Sequence, residues 1–188
     1  MKLDINDIKR GGLIETEGDP YIVLSVKHTH IGRGGASVQS KLKNLRTGKV
    51  LDKTFKPADS IEEASIDRLD AEFIYERNGE FWFHEKGEKS KRFSLDGGVI
   101  GEQSKFLKTG IEVKAFIFKG NFINVELPIK ADYKVTEAPP NVRGNTSQGG
   151  NKVVTIEGGA KVNVPLFIKQ GDVIRINTDT GEYTERAK

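Results

Sequence analysis

The sequence contains no cysteine. That excludes disulfide bonds, cysteine-ligated zinc and thiol nucleophiles, and it fits a reducing compartment. No apolar stretch approaches the ~20 residues a membrane helix needs. The opening Met1-Lys2-Leu3-Asp4-Ile5 lacks the apolar core of a signal peptide. The expected location is cytoplasmic, with no membrane contact. The Gly-x-Ser-x-Gly and phosphate-loop patterns are missing. Three histidines occur. His28 and His30 would share one face of a strand, but no third ligand has suitable spacing. They also sit beside cations, so RNA contact or plain exposure reads better than a metal pair. His84, next to Trp82 and Phe83, reads as packing or surface. Acidic residues are numerous, yet nothing marks out a catalytic pair. The chain is expected to have no catalytic residue, metal or cofactor of its own.

Acids are scarce in one window. Between Lys27 and Lys56 the cations are Lys27, Arg33, Lys41, Lys43, Arg46, Lys49, Lys53 and Lys56, and the single anion is Asp52. The formal net charge of the whole chain is only +3, so this excess is local. It is the footprint expected of a phosphate-binding surface. The bland alternative is a solvated strand face that lacks acids.

Glycine is abundant and the apolar runs are short, which suggests many strands and turns. At 188 residues the chain has room for three domains averaging about 60 residues. In the first segment, Gly18-Asp19-Pro20 signals a turn. Tyr21 to Val26 is a strand run that Lys27-His28-Thr29-His30 continues. Gly32-Arg33-Gly34-Gly35 can reverse the chain, since glycine accepts positive φ. Val38, Ser40 and Leu42 then alternate with Gln39, Lys41 and Lys43. Alternation puts Lys41 and Lys43 on one face. Arg46-Thr47-Gly48-Lys49 is a turn and Val50 to Phe55 a strand, so the segment reads as a small antiparallel barrel ending near Ile66.

The second segment repeats strand–turn–strand. Ala71–Tyr75 and Glu80–His84 flank Arg77-Asn78-Gly79, where Asn-Gly is a strong hairpin signal. Ile111–Phe118 and Phe122–Leu127 flank Lys119-Gly120-Asn121, and Ser104–Leu107 suggests a helical turn. Phe81, Trp82 and Phe83 could form a stacking platform, but alternation puts Phe81 and Phe83 on one face and Trp82 on the other. In the third segment Val153–Ile156, Lys161–Val164 and Asp172–Asn177 read as strands, with a hairpin turn at Thr180-Gly181. Pro139-Pro140 and the run Gly144, Asn145, Thr146, Ser147, Gln148, Gly149 and Gly150 interrupt it as a loop. The fold class expected is all-β: three small barrels in a row, spanning 1–65, 66–128 and 129–188.

Lys152-x-Val154, then Gly159, Val162-x-Val164-Pro165, Ile168 and Gly171 resemble the signature of the bacterial elongation factor P family. Arg46-Thr47-Gly48 and Lys53-Thr54-Phe55-Lys56 resemble its first-domain strands, and Gly32-Arg33-Gly34-Gly35 falls where the family carries its modified basic residue. The resemblance covers essentially the whole chain. It implies an SH3-like (KOW-like) barrel and two OB folds in an L-shaped, tRNA-like arrangement. It implies a monomer that binds the ribosome between the P and E sites. There it would promote peptide-bond formation at polyproline stalls by positioning peptidyl-tRNA. The Arg33 tip would reach the acceptor end of the peptidyl-tRNA in the P site. The loop Gly144–Gly150 would approach the small subunit and mRNA at the E-site codon. Lys27, Lys41, Lys43, Arg46, Lys49, Lys53 and Lys56 would contact RNA phosphates.

Many members carry a β-lysylated lysine at the tip. Arg33 is protonated and poorly nucleophilic, which disfavours that chemistry. Arginine-tipped members resemble a branch in which an arginine rhamnosyltransferase modifies the guanidinium. Ile31-Gly32 stands here in place of Pro-Gly, and Gly34-Gly35 in place of serines, so another modification, or none, stays open. The competing readings are a paralogue with a narrower role, a general OB-fold RNA-binding protein, and an enzyme with an unrecognised site. On local sequence alone, Arg33 reads more readily as an ordinary turn residue or a generic RGG-like RNA contact, and the loop Gly144–Gly150 equally as an ordinary surface loop.

Overall fold

The computed structural model describes residues 2–31, 35–140 and 150–187, with the backbone alone at 29–31 and 35–36. Three antiparallel five-stranded sheets follow one another along the chain. The first contains β1 (Leu13–Thr16), β2 (Asp19–Ile31), β3 (Gly35–Asn44), β4 (Val50–Phe55) and β5 (Glu62–Glu63). Its order is β4-β3-β2-β1-β5. The second contains β6 (Ile66–Arg77), β7 (Glu80–Glu85), β8 (Glu88–Asp96), β9 (Glu112–Phe118) and β10 (Asn121–Glu126). The third contains β11 (Lys130–Glu137), β12 (Asn151–Ile156), β13 (Lys161–Pro165), β14 (Val173–Asn177) and β15 (Glu182–Arg186). The orders β10-β9-β6-β7-β8 and β13-β12-β11-β14-β15 are one topology read from opposite ends. No helix of the described residues is long and apolar enough to cross a membrane.

Local chemistry explains most of the turns. Asn78 and Gly79 both have positive φ, 54° and 81°, the pair of conformations a two-residue hairpin needs. The first turn differs from expectation. It is made by Glu17 and Gly18, while Asp19 and Pro20 already belong to β2, with Pro20 opposite Glu15. Strands are also longer than the short runs suggest: β2 has 13 residues and β6 has 12. Each serves two partners. β6 pairs with β9 from Ile66 to Glu72 and with β7 from Ala71 to Arg77. The helical turn expected at Ser104–Leu107 is a short α-helix, Gly97–Ile100, running into a 3-10 helix, Gly101–Phe106.

The cores follow period-2 burial. The first sheet encloses Ile14, Tyr21, Val23, Val38, Leu42 and Phe55. In the second, Phe83 is buried and stacks on Phe93, which stacks on Phe122. Trp82 points the other way and lies against Tyr75, ring centroids 6.2 Å apart. The apolar cores of the second and third sheets are one continuous cluster. At their junction the buried Tyr133 hydroxyl donates to the Phe106 carbonyl at 2.8 Å. Lys108 donates to the Asp132 carbonyl at 2.6 Å and to Glu157 at 2.8 Å. The first and second sheets meet through a smaller cluster: Ala64, Phe118 and Ile123, with Leu13, Leu45, Ile66 and Phe116 packed on it.

Candidate nucleic-acid interface

The basic window folds into β2, β3 and β4. Register decides which cations share a face, because residues directly opposite in an antiparallel pair point the same way. Lys27 lies opposite Gln39, and Gln39 opposite Thr54. Ser25, Lys41 and Asp52 form the next row, and Ile22, Lys43 and Val50 the one after. Lys27, Lys41 and Lys43 are all exposed and therefore present one cationic face, with Ser25, Gln39 and Thr54 supplying polar groups between them. A shallow groove of about 490 Å³ runs across this patch. The opposite face of β3 carries Val38, Ser40 and Leu42, all buried.

Lys53 belongs to that other face. It lies opposite Ser40, not opposite Lys41. Its ammonium donates to the Thr16 hydroxyl at 3.2 Å and to Glu17 at 2.7 Å, and sits 5.5 Å from the Phe55 ring centroid. Arg46 is also engaged. It pairs with Asp19 at 3.1 Å in the turn after β3, where the Asn44 side chain accepts the Arg46 and Thr47 N–H groups. Lys49 and Lys56 are exposed at the two ends of β4. The structure thus brings Lys27, Lys41 and Lys43 together and sets Lys53 and Arg46 apart. Sequence reading grouped the lysines by proximity in the chain. Only the pairing of β3 with β4 reveals that Lys53 is out of phase with Lys41, and that Ser25, Gln39 and Thr54 join the cationic face.

Beyond Val38↔Phe55 the sheet narrows to two strands. β4 ends there, while β2 and β3 continue through Thr29↔Ser37 and His30↔Ala36 to Ile31↔Gly35. Three further rows form an arm of about 10 Å at the usual strand rise. Arg33, Gly32 and Gly34 belong to the connection between Ile31 and Gly35 and lie outside the described residues. So do the loop residues Gly144, Asn145, Thr146, Ser147, Gln148 and Gly149, whereas Gly150 is described just before β12. His28, opposite the buried Val38, faces away from Lys27 and is exposed. His84 is buried, with Nδ1 2.9 Å from the Glu85 carbonyl and Nε2 3.5 Å from Glu72. No group of three or more metal-ligating side chains converges among the described residues.

The signature residues of the third sheet are structural. Val154, Val162, Val164 and Ile168 are buried, and Gly171 is in a turn whose N–H donates to the Val135 carbonyl. Burial would raise the Glu157 carboxyl, but hydrogen bonds from Lys108 and the Lys134 N–H, with the charges of both lysines, hold it below the ordinary range. Asp132 is likewise lowered, by the Arg175 guanidinium that grips it at 2.7 and 3.0 Å. These perturbed groups stabilise the junction and the third sheet and are not part of the cationic face.

Comparison with known proteins now bears on the whole chain. Residues 4–61 match the elongation factor P KOW-like domain, and residues 131–186 match the elongation factor P C-terminal domain. The elongation factor P of Hydrogenobaculum sp. is 40% identical over 185 residues, covering 98% of this chain and 95% of that protein. Its counterpart from Moorella thermoacetica is 37% identical, with 98% and 100% covered, and that from Aquifex aeolicus 38%, with 100% and 97% covered. Among solved structures, the eukaryotic translation initiation factor 5A from Methanococcus jannaschii superposes with a TM-score of 0.51 at 15% identity. That superposition covers 65% of this chain and 90% of the other, a likeness of fold alone. Matches at both ends, and relatives this similar along nearly the full length, establish that the chain belongs to the bacterial elongation factor P family and is a translation elongation factor.

Proposed function

We propose that this factor binds the ribosome between the P and E sites and promotes peptide-bond formation at polyproline stalls by positioning peptidyl-tRNA. In this reading it supplies contacts and no catalytic group. The cationic face is the supporting observation: Lys27, Lys41 and Lys43 line the same sheet surface that extends into the β2–β3 arm. Phosphates of the tRNA acceptor arm would lie along it, and Lys49 and Lys56 would contribute at its margin. The tip residue Arg33 would meet the acceptor end. Arginine stays charged and offers a planar fork of donors, and glycines beside it leave room for RNA. Holding the aminoacyl end in a reactive geometry can lower the barrier by several kcal/mol without proton transfer.

The rest of the proposal follows the family. Residues 1–65, 66–128 and 129–188 act as three domains of a monomer working in the cytoplasm. The loop Gly144–Gly150 meets the small subunit near the E-site codon. Arg33 is the substrate of an arginine rhamnosyltransferase. The test is in vitro translation of a polyproline reporter with protein from the native host. Wild type should relieve the stall, and Arg33→Ala should lose relief while keeping its fold. Equal activity of the two proteins would refute the tip mechanism.

A further inference from the structure

The second and third sheets share a strand order, yet their corresponding faces differ in chemistry. In an OB-type barrel the face of its second and third strands, with the adjoining loops, takes oligonucleotides. In the second sheet those strands are β7 and β8. The rows on the side of β7 away from Phe83 are Arg77–Glu80–Asp96, Tyr75–Trp82–Ser94 and Glu72–His84–Arg92, with His84 itself buried. Three carboxylates against two guanidiniums would repel phosphate. Trp82 is already stacked on Tyr75, and Glu72 faces His84.

In the third sheet the same strands are β12 and β13. Their outward rows are Thr155–Lys161, Val153–Asn163 and Asn151–Pro165. Val154, Val162 and Val164 in the alternate rows are buried, so the outward rows face away from the core. Val153 is 52% exposed in the middle of them. Just past the last row, Leu166 donates its N–H to the Gly150 carbonyl at 3.3 Å. The next residue in the chain, Phe167, two positions past the last row, is 57% exposed. Lys161, Asn151 and Asn163 are exposed, and no hydrogen bond or ion pair engages their side chains among the described residues. Gln170 and Lys161 also border a groove of about 530 Å³ walled by Ala138 and Pro139. The acid at this edge, Glu137, accepts the Thr155 hydroxyl at 3.3 Å. A free cation, free amides and an exposed aromatic are the combination that holds phosphate, base edges and a base face.

We infer that the open β12–β13 face binds a short unpaired RNA segment, with a base stacked on Phe167 and a phosphate at Lys161. Asn151, Asn163 and Gln170 contact base or ribose edges, and Val153 forms the apolar floor. The inference rests on the reading of the chain as a ribosome-bound factor, and it names the partner of a surface that reading leaves unassigned.

The test uses the full chain without ribosomes, in a Lys27/Lys41/Lys43→Ala background that silences the first-sheet face. A short 5-bromouridine oligonucleotide is photocrosslinked and the peptides are mapped by mass spectrometry. Crosslinks should fall within 153–161 and 162–169. Measured by anisotropy, Phe167→Ala should weaken binding about tenfold, the loss expected of one base–aromatic stack, and Phe167→Tyr should restore it. Lys161→Ala should lower the salt slope by about 0.7, the value for one single-strand phosphate contact. Crosslinks elsewhere, or Phe167→Ala binding like its parent, overturn the assignment. That would include the case in which this face serves a protein. Stall relief lost on Arg33→Ala would still stand after such a failure, so the two readings fail separately.

Discussion

Removing the lysines one at a time should separate cations that hold RNA from one that holds the barrel. Lys27 and Lys43 have no acid in their rows, whereas Lys41 lies between Ser25 and Asp52. Each duplex phosphate neutralised releases counterions and adds about 0.9 to the slope of log affinity against log salt. Lys27→Ala and Lys43→Ala should each lower the slope by about 0.9. Lys41→Ala should lower it by less, because Asp52 already offsets part of that charge. The triple variant should lose about 2 to 3 in slope. Lys53→Ala should behave differently. Its ammonium bridges Thr16 and Glu17 on the opposite face, so the slope should stay unchanged while stability falls by about 1 kcal/mol. Affinity for the ribosome carrying peptidyl-tRNA, measured over a salt series, gives the slopes, and urea melts give the stabilities. The face assignment is refuted if Lys53→Ala flattens the slope as much as Lys27→Ala does, or if the triple variant leaves it unchanged.

Two further outcomes concern the junction of the second and third sheets. A Cβ on Gly158, at φ +92°, would stand 3.2 Å from the Leu107 carbonyl oxygen and 3.3 Å from that of Lys105, while one on Gly159, at φ +86°, meets nothing within 4 Å. Both alanine variants bear left-handed strain of about 1–2 kcal/mol, and Gly158→Ala should lose about 1 kcal/mol more in urea melts because backbone carbonyls cannot swing aside; equal losses would show that the junction is loose. Because the Glu157 carboxyl is held below its ordinary range in the folded chain, its contribution is complete above the unfolded value of about 4.3 and disappears as pH falls through the folded value. Glu157→Gln should therefore remove part of the acid sensitivity of stability below about pH 4, and an unchanged acid limb would show that the Lys108–Glu157 pair contributes nothing there.

How far the chain could be read depended on what each signal measures. Strands with alternating hydropathy were plain, such as the run in which Val38, Ser40 and Leu42 alternate with Gln39, Lys41 and Lys43, and so was the Asn78-Gly79 turn. β8 was not, because Glu88 to Arg92 are all exposed and polar and only Phe93 and Leu95 face the core. β1 and β11 were hidden similarly, by brevity and by interleaved charge. For the site, composition located the basic window, and alternation within one strand grouped Lys41 with Lys43. The grouping of Lys27 with them needed the register across the bulge between Val23 and Ser25. The exclusion of Lys53 needed the β3–β4 pairing. Long-range register leaves almost no trace in a single sequence, since any of several alignments satisfies the local alternation.

If the factor acts by placing peptidyl-tRNA, as proposed, it must transmit position from its anchor to its tip. The continuous core and the Lys108 and Tyr133 contacts make the second and third barrels one stiff body. The joint to the first barrel is lighter. Among the described residues its side-chain polar links are Lys119 to Glu15 at 2.6 Å and the Asn124 amide to the Leu45 carbonyl at 3.3 Å. The Lys119 side chain is 64% exposed, and such an ion pair is worth about 0–1 kcal/mol. The aim of the arm therefore depends mainly on the apolar contacts of Leu13, Leu45, Phe116 and Phe118. Any angular play there is magnified at the arm's end, beyond the last row of β4. In the proposed reading, the placing of the Arg33 tip is then set by side chains outside the arm, from Leu13 and Leu45 in the first segment to Phe116 and Phe118 in the second.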